Sequence, residues 1–360
     1  MYDYTGKTIF LGLDVHKSTY SLTAICENCI IKREKISADP LLLVKYCKKY
    51  FYNARIKSAY EAGFSGYHLH RILISHGIEN IVVHPANIEV SKNDSVKTDR
   101  RDSLKIATQL ADNRLKGNFI PSVQREDKRH LTRLRECLVK QRTRTSCQIK
   151  SLLYSQGMIS YDKVLRINKK TLLSVLRMKM PTNLQYKLKV LAQTWNYFSL
   201  QIAQTNEKML ISFTDDNWLK KVYCSIPGIG ITMSNVLMNE IGDTLQFSNE
   251  QKLFSHAGLT PREHSSGDHQ RQGHITKQGN PILRKMLIQA AWKAIKLDRS
   301  LLTVFERIRG LNKGKAKIAI VAVARVMLGR IRTCFKENRL YVNKSIEQTS
   351  VRDWKFKEKI

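Results

Sequence analysis

Acid is scarce in this sequence relative to base. Its 360 residues carry 30 Asp and Glu against 62 Lys and Arg, a net charge of +32, and such an excess repels itself unless a polyanion lies beside it, which points to nucleic acid as partner. Long apolar runs are missing too. The longest near the C-terminus, Ile318 to Ala324, stops at Arg325 after seven residues, far below the ~20 a bilayer-spanning helix needs. Prolines number only 7 while hydrophobic residues make up 42%, so the chain buries real cores and is neither disordered nor of low complexity. Seven scattered cysteines, an odd number, form no disulfide framework and read as reduced thiols. Cys26 and Cys29 make one C-x-x-C, but the second pair or the histidines a zinc site needs are absent at ligand spacing. Asp3 and Lys7 open a segment without an apolar signal core, so the expected location is the cytoplasm of a bacterial or archaeal cell, near the nucleoid.

Three segments differ in pattern and charge. Residues 1–120 hold 18 basic and 12 acidic residues, 121–217 hold 18 and 7, and 218–360 hold 26 and 11. In the first, Thr8–Asp14, Ser18–Cys26 and Cys29–Arg33 read as strands joined by tight turns, followed by a helix over Leu41–Tyr50. Strands at Lys57–Glu61 and Ile81–His84 then alternate with helices at Tyr67–Ser75 and Asp102–Leu115, the order of a ribonuclease H-like fold. The second segment is helical. Leu188, Leu191, Trp195, Phe198, Ile202, Thr205 and Met209 recur at alternating intervals of three and four, the a/d seam of a coiled coil. An earlier helix holds eight basic residues between Lys128 and Lys150, Arg142 and Arg144 among them, against the single acid Glu136; this face either grips nucleic acid or is simply solvated. Glycines punctuate the third segment into short helices and loops, and a polar, loosely held tail follows from about residue 336. The expected fold class is therefore α/β plus α: domain 1–120, a helical connector 121–217, a mainly helical domain 218–335 and the tail 336–360.

Four acids in the first segment form a candidate constellation. Asp14 and Glu61 each end an apolar strand, and Asp99 and Asp102 are three apart, so a helix beginning by Asp99 projects both from one face. Gathered carboxylates need a counter-charge, and hard oxygen donors suit Mg2+ or Mn2+. Each residue also has an ordinary role open to it: Asp14 in a turn, Glu61 in solvent, Asp99 as a helix cap. In the third segment Ser225-Ile226-Pro227-Gly228-Ile229-Gly230 looks like the turn of a helix-hairpin-helix module, which offers backbone N–H groups at Gly228 and Gly230 to a phosphate. Farther on, Ser265-Ser266-Gly267 lies in a loop with Arg262, Arg271 and Lys277 nearby in sequence. Those are ingredients of a nucleophile facing a phosphate, and equally of an unremarkable loop.

Taken together, these blocks resemble the transposases of the insertion-sequence one-ten family, relatives of the Piv site-specific DNA invertases, known as bridge-RNA-guided recombinases. The resemblance runs through Asp14-Val15-His16-Lys17, Tyr60-Glu61-Ala62-Gly63, Lys97 to Asp102, Ile226 to Gly230, Glu240-Ile241-Gly242-Asp243, Gly258-Leu259-Thr260-Pro261, Ser265-Ser266-Gly267, Ile275-Thr276-Lys277 and Gly279-Asn280. It implies a RuvC-like domain whose Asp14, Glu61, Asp99 and Asp102 bind divalent metal, a coiled-coil connector, and a transposase domain whose nucleophile is Ser266. It also implies a homo-oligomer, dimer or tetramer, that joins donor and target DNA under an element-encoded guide RNA, so that base pairing reads sequence and the protein grips backbones. Ser103 stands where many relatives carry alanine. Two other functions fit parts of the pattern: a RuvC-like nuclease that resolves branched DNA with Ser266 only structural, and a non-catalytic nucleic-acid-binding protein.

Overall fold

The computed structural model describes residues 3–89, 98–160, 162, 164–211, 217–266 and 269–343, and of 217, 264–266, 269–272 and 313 the backbone alone. The chain divides into two compact units, Met1–Pro121 and Ser122–Ile360. The second unit takes in both the helices of the expected connector and those of the segment after it.

In the first unit β1 (Thr8–Val15), β2 (Thr19–Cys26) and β3 (Cys29–Ser37) form an antiparallel meander, followed by α1 (Pro40–Tyr50), β4 (Arg55–Glu61), α2 (His68–Ser75), β5 (Glu79–Val83) and α3 (Asp99–Ala111). The sheet order is β3-β2-β1-β4-β5, with β4 parallel to β1 and β5 parallel to β4. Each strand lies within a few residues of its sequence expectation because apolar runs bounded by turn residues leave little choice. The turn between β2 and β3 holds Glu27 and Asn28 at φ 50° and 63°, as a two-residue hairpin of the right twist demands. Cys26 and Cys29 are simply its closing cross-strand pair, both free thiols.

The helix α3 begins three residues earlier than expected and ends sooner, at Ala111. Thr98 caps it by accepting a hydrogen bond from the Arg101 N–H, so Asp99 is the first helical residue and not the cap. Gly12 of β1 lets this helix come exceptionally close: a Cβ there would lie 2.1 Å from the Ser103 carbonyl oxygen and 2.3 Å from the Ala107 nitrogen. The Ser103 hydroxyl shares a buried hydrogen bond of 2.9 Å with Thr23 of β2, which gives the departure from alanine a partner.

The second unit contains α4 (Val123–Ser155), α5 (Lys169–Leu176), α6 (Thr182–Ile211), α7 (Asn217–Ser225), α8 (Ile231–Glu240), α9 (Glu250–His256), a hairpin of β6 (Pro261–Ser266) and β7 (His269–Ile275), then α10 (Pro281–Ala294), α11 (Arg299–Arg309) and α12 (Ala316–Lys336). The heptad seam is filled from within the chain. Leu188, Ala192 and Trp195 of α6 share a buried cluster with Ile149 and Leu153 of α4 and with Leu172 and Val175 of α5, while Met209 packs with Val236 and Met286. The Trp195 indole N–H donates to Ser146 Oγ at 2.9 Å. The start of the expected loose tail is anchored: the Tyr341 hydroxyl bonds the buried Asp298 carboxylate, its N–H donates to Ser225 Oγ at 3.0 Å, and Asn343 Nδ2 donates to the Leu297 carbonyl. Among the described residues no helix is long and apolar enough to cross a membrane.

Candidate active site

At the C-terminal end of β1 three donor groups converge. Asp14, His16 and Asp99 place one ligand atom each within 4.8 Å of the others. Asp14 lies at the end of β1 and His16 is the first residue beyond it, and the His16 N–H bonded to the Thr19 carbonyl at 2.9 Å closes the turn into β2. His16 Nε2 lies 3.1 Å from Asp14 Oδ2 and 3.3 Å from Asp99 Oδ1. Asp99 arrives from α3, held over β1 by the close approach at Gly12. Its other oxygen accepts from Lys35 Nζ at 3.2 Å. Lys35 is at the same level two strands away, since Asp14 pairs with Ser21 and Ser21 with Lys35.

Asp102, one helical turn beyond Asp99, pairs with Lys105 at 3.5 Å. Glu61 follows Tyr60, which pairs with Leu13, so it stands beside Asp14 on the same face of the neighbouring strand, exposed. Neither belongs to the tight group. Burial pushes the Asp14 carboxyl above its ordinary range, His16 pulls it back, and the charges of Asp99 and Asp102 add to the rise. Asp99 is held low, chiefly by its bond from Lys35. Negative charge is thus accumulated at one spot, with the His16 imidazole and the Lys35 and Lys105 ammonium groups beside it. Two carboxylates and an imidazole, with two further carboxylates on the adjoining strand and turn, are a donor set that fits a divalent cation.

The second unit carries the other expected site. Ser265 and Ser266 lie not in a loop but at the end of β6, Ser265 opposite Gln270 and Ser266 opposite His269. The Gly267-Asp268 dipeptide between the strands is a hairpin signal that composition alone conceals. Gly267 and the side chains of Ser266 and Arg271 fall outside the described residues. The base of this hairpin is clamped. The Thr276 N–H donates to the Thr260 carbonyl at 2.8 Å and the Asn280 N–H to the His256 carbonyl at 2.8 Å, and a Cβ at Gly279 would meet the Ser255 carbonyl at 2.5 Å. Asn280 caps α10 through its side-chain oxygen and donates from Nδ2 to Glu240 Oε2 at 2.8 Å. Glu240, 1% exposed, is also gripped by Arg133 through Nε at 3.0 Å and Nη2 at 3.1 Å. Sequence reasoning quoted Glu240 and Asn280 without a role; the network joins residues 107 and 40 positions apart, beyond any local pattern.

The expected nucleic-acid contacts divide by environment. Arg144, Arg262 and Lys277 are exposed. The Arg142 guanidinium lies 5.7 Å over the Trp195 ring, a packing role within the helix pair. Gly228, at φ +83°, has its missing Cβ aimed 2.5 Å from the Ala290 carbonyl, so that turn is pressed against α10, whereas Gly230 is the exposed cap of α8.

Two family models match this chain, one described as the transposase IS116/IS110/IS902 family over residues 221–305, the other as the DEDD transposase domain of IS110 elements over residues 11–156. A Sinorhizobium fredii protein named as transposase y4rJ is 30% identical across 88% of this chain and 89% of its own length. The chain belongs to the IS110/IS116 transposase family. The transposase of insertion element IS1111A from Coxiella burnetii is 26% identical over 86% of each chain, and that of IS1533 from Leptospira borgpetersenii is 24% identical over 80% of this chain and 85% of its own. The DEDD match contains Asp14, Glu61, Asp99 and Asp102, and the other contains Glu240, the β6–β7 hairpin and Asn280.

Proposed function

We propose that this transposase is a bridge-RNA-guided DNA recombinase that cuts and rejoins donor and target DNA through a covalent link to Ser266, assisted by a divalent ion, Mg2+ or Mn2+, on Asp14, Glu61, Asp99 and Asp102 of a RuvC-like first unit. The observation that carries the reading is the approach of Asp99 to Asp14, made by a helix start and a strand end 85 residues apart and bridged by His16. When bound, such an ion neutralises phosphate charge and favours an oxygen nucleophile. The chain supplies the rest. Asp14 and Asp99 hold the site on a rigid strand and a closely packed helix, and Glu61 and Asp102 widen the oxygen set. At the hairpin the Ser266 Oγ–P bond forms as the P–O bond to the leaving nucleoside breaks; the serine gives up its proton and the leaving oxygen gains one. Rejoining runs the same exchange backwards with a hydroxyl of the other DNA.

Sequence choice falls to an element-encoded RNA pairing with both DNAs, and the protein, a dimer or tetramer, holds backbones through the exposed Arg144, Arg262 and Lys277 and the α8 terminus at Gly230, and through Arg271, whose side chain lies outside the described residues. The test is a guided substrate trapped under denaturing conditions. The wild type and Ser265→Ala should carry a DNA strand on the protein, Ser266→Ala should not, and Asp14→Asn or EDTA should abolish strand exchange while RNA binding persists. Free DNA ends with no adduct from any variant would replace this reading with a water-activating metal nuclease.

A further inference from the structure

His16 is not one of the four carboxylates, yet among the described residues it completes the tight donor cluster with Asp14 and Asp99, one ligand atom of each lying within 4.8 Å of the others. We propose that His16 is a direct ligand of the divalent ion, so that the site is a mixed nitrogen and oxygen set, Asp14–His16–Asp99, with Glu61 and Asp102 at its margin. The inference deepens the proposed function and rests on its reading that these carboxylates hold a divalent cation.

Three observations carry it. Donors on adjacent corners of an octahedron with metal–ligand bonds of about 2.1 Å lie ~3 Å apart. His16 Nε2 stands 3.1 Å from one carboxylate oxygen and 3.3 Å from the other, so it already keeps the spacing of an octahedral edge to each acid, and the two carboxylate oxygens lie within 4.8 Å of each other. His16 is also held in place: it follows Asp14 by two residues, and its N–H is tied to the Thr19 carbonyl at 2.9 Å. A side chain that merely oriented Asp14 would need to reach Asp14 alone, whereas this nitrogen faces both acids, which come from different elements. Finally, the imidazole is 44% exposed, so an ion has a path to it. Imidazole favours first-row transition ions over Mg2+, which makes Mn2+ the more suitable occupant.

The alternative is that His16 only bridges the two acids and is displaced when metal binds. Pulsed electron paramagnetic resonance on the full-length protein loaded with Mn2+ separates the two, because a bound imidazole nitrogen modulates the Mn2+ spin echo and a displaced one does not. The wild type is expected to show 14N modulation, and His16→Ala to lose it while binding Mn2+ more weakly by ~10-fold or more, at least what loss of an outer partner costs. His16→Asp should retain binding without the nitrogen signal and should lower the preference for Mn2+ over Mg2+. Asp14→Asn, expected to bind no Mn2+ at this position, assigns the signal to the site. Mn2+ bound in the wild type without 14N modulation, or modulation that survives in His16→Ala, overturns the proposal while leaving the carboxylate site standing. A wild type that binds no Mn2+ sensitive to Asp14→Asn overturns both.

Discussion

Gly12 shows how much one missing methyl group can decide. It lies in the middle of β1 and reads in sequence as a mere interruption of the apolar run Ile9 to Leu13. In the fold it is the point where α3 rests on the sheet, with backbone atoms of Ser103 and Ala107 inside the volume a Cβ would fill. Backbone cannot rotate away as a side chain can, so Gly12→Ala must lift the helix that carries Asp99 and Asp102. We expect a loss of roughly 1–3 kcal/mol in stability, read as a lowered Tm, together with weaker Mn2+ binding although no ligand has changed. Gly63→Ala serves as the control, because the nearest atom to its added Cβ is 3.9 Å away, and should leave both measurements unchanged. Glu240 is the corresponding residue of the second unit: a buried carboxylate whose partners come from α4 and from the cap of α10, so that its cost of burial is met only when both helices are in place.

At the scale of elements the long helices α4 and α6 carry the lesson. The interval of three and four along α6 says correctly that one face is apolar, but a heptad does not name its partner. That face is occupied by α4 and α5 of the same chain, with the Trp195 N–H on Ser146. Placing aspartate at both Trp195 and Ile202 is therefore expected to destabilise the second unit itself, lowering its Tm by an amount in keeping with several kcal/mol. A double variant that kept its Tm and changed only its oligomeric state would return the seam to a contact between chains. The β6–β7 hairpin is the converse case. Its residues are polar and lack strand-like alternation, yet cross-strand pairing from Pro261 to Ser266, with one register shift, replaces the expected loop.

Over the whole molecule the charge of +32 sets how nucleic acid is held. Electrostatic binding to phosphates releases counterions, so affinity for non-specific DNA or RNA should fall steeply with salt, by ~10³-fold or more between 50 and 200 mM if six or more phosphates are engaged. Among basic residues of α4, Arg144 is exposed whereas Arg142 is stacked on Trp195. In salt titrations of filter binding, Arg144→Ala should reduce the slope of log affinity against log salt by about one contact. Arg142→Ala should leave the slope alone and lower the Tm. Equal effects of the two on the slope would refute this division of the basic face.

The sequence by itself determined the strands of the first unit and, to within a few residues, its helices, because short apolar runs between turn residues allow few local structures. It also determined that the partner is a polyanion, since no folding removes an excess of 32 charges. Tertiary structure alone decided which of the acids meet. Asp14 and Asp99 are joined by the register of β1 with β2 and by the depth to which α3 sinks at Gly12. The same register brings in Lys35 from two strands away, and only the turn at Thr19 shows that His16 belongs with them. In the second unit it decided that the heptad seam closes on α4, that Gly228 serves packing against Ala290, and that Glu240 joins Arg133 to Asn280. Each of these depends on contacts between residues far apart in sequence, where periodicity and local propensity carry no information and close packing makes the choice.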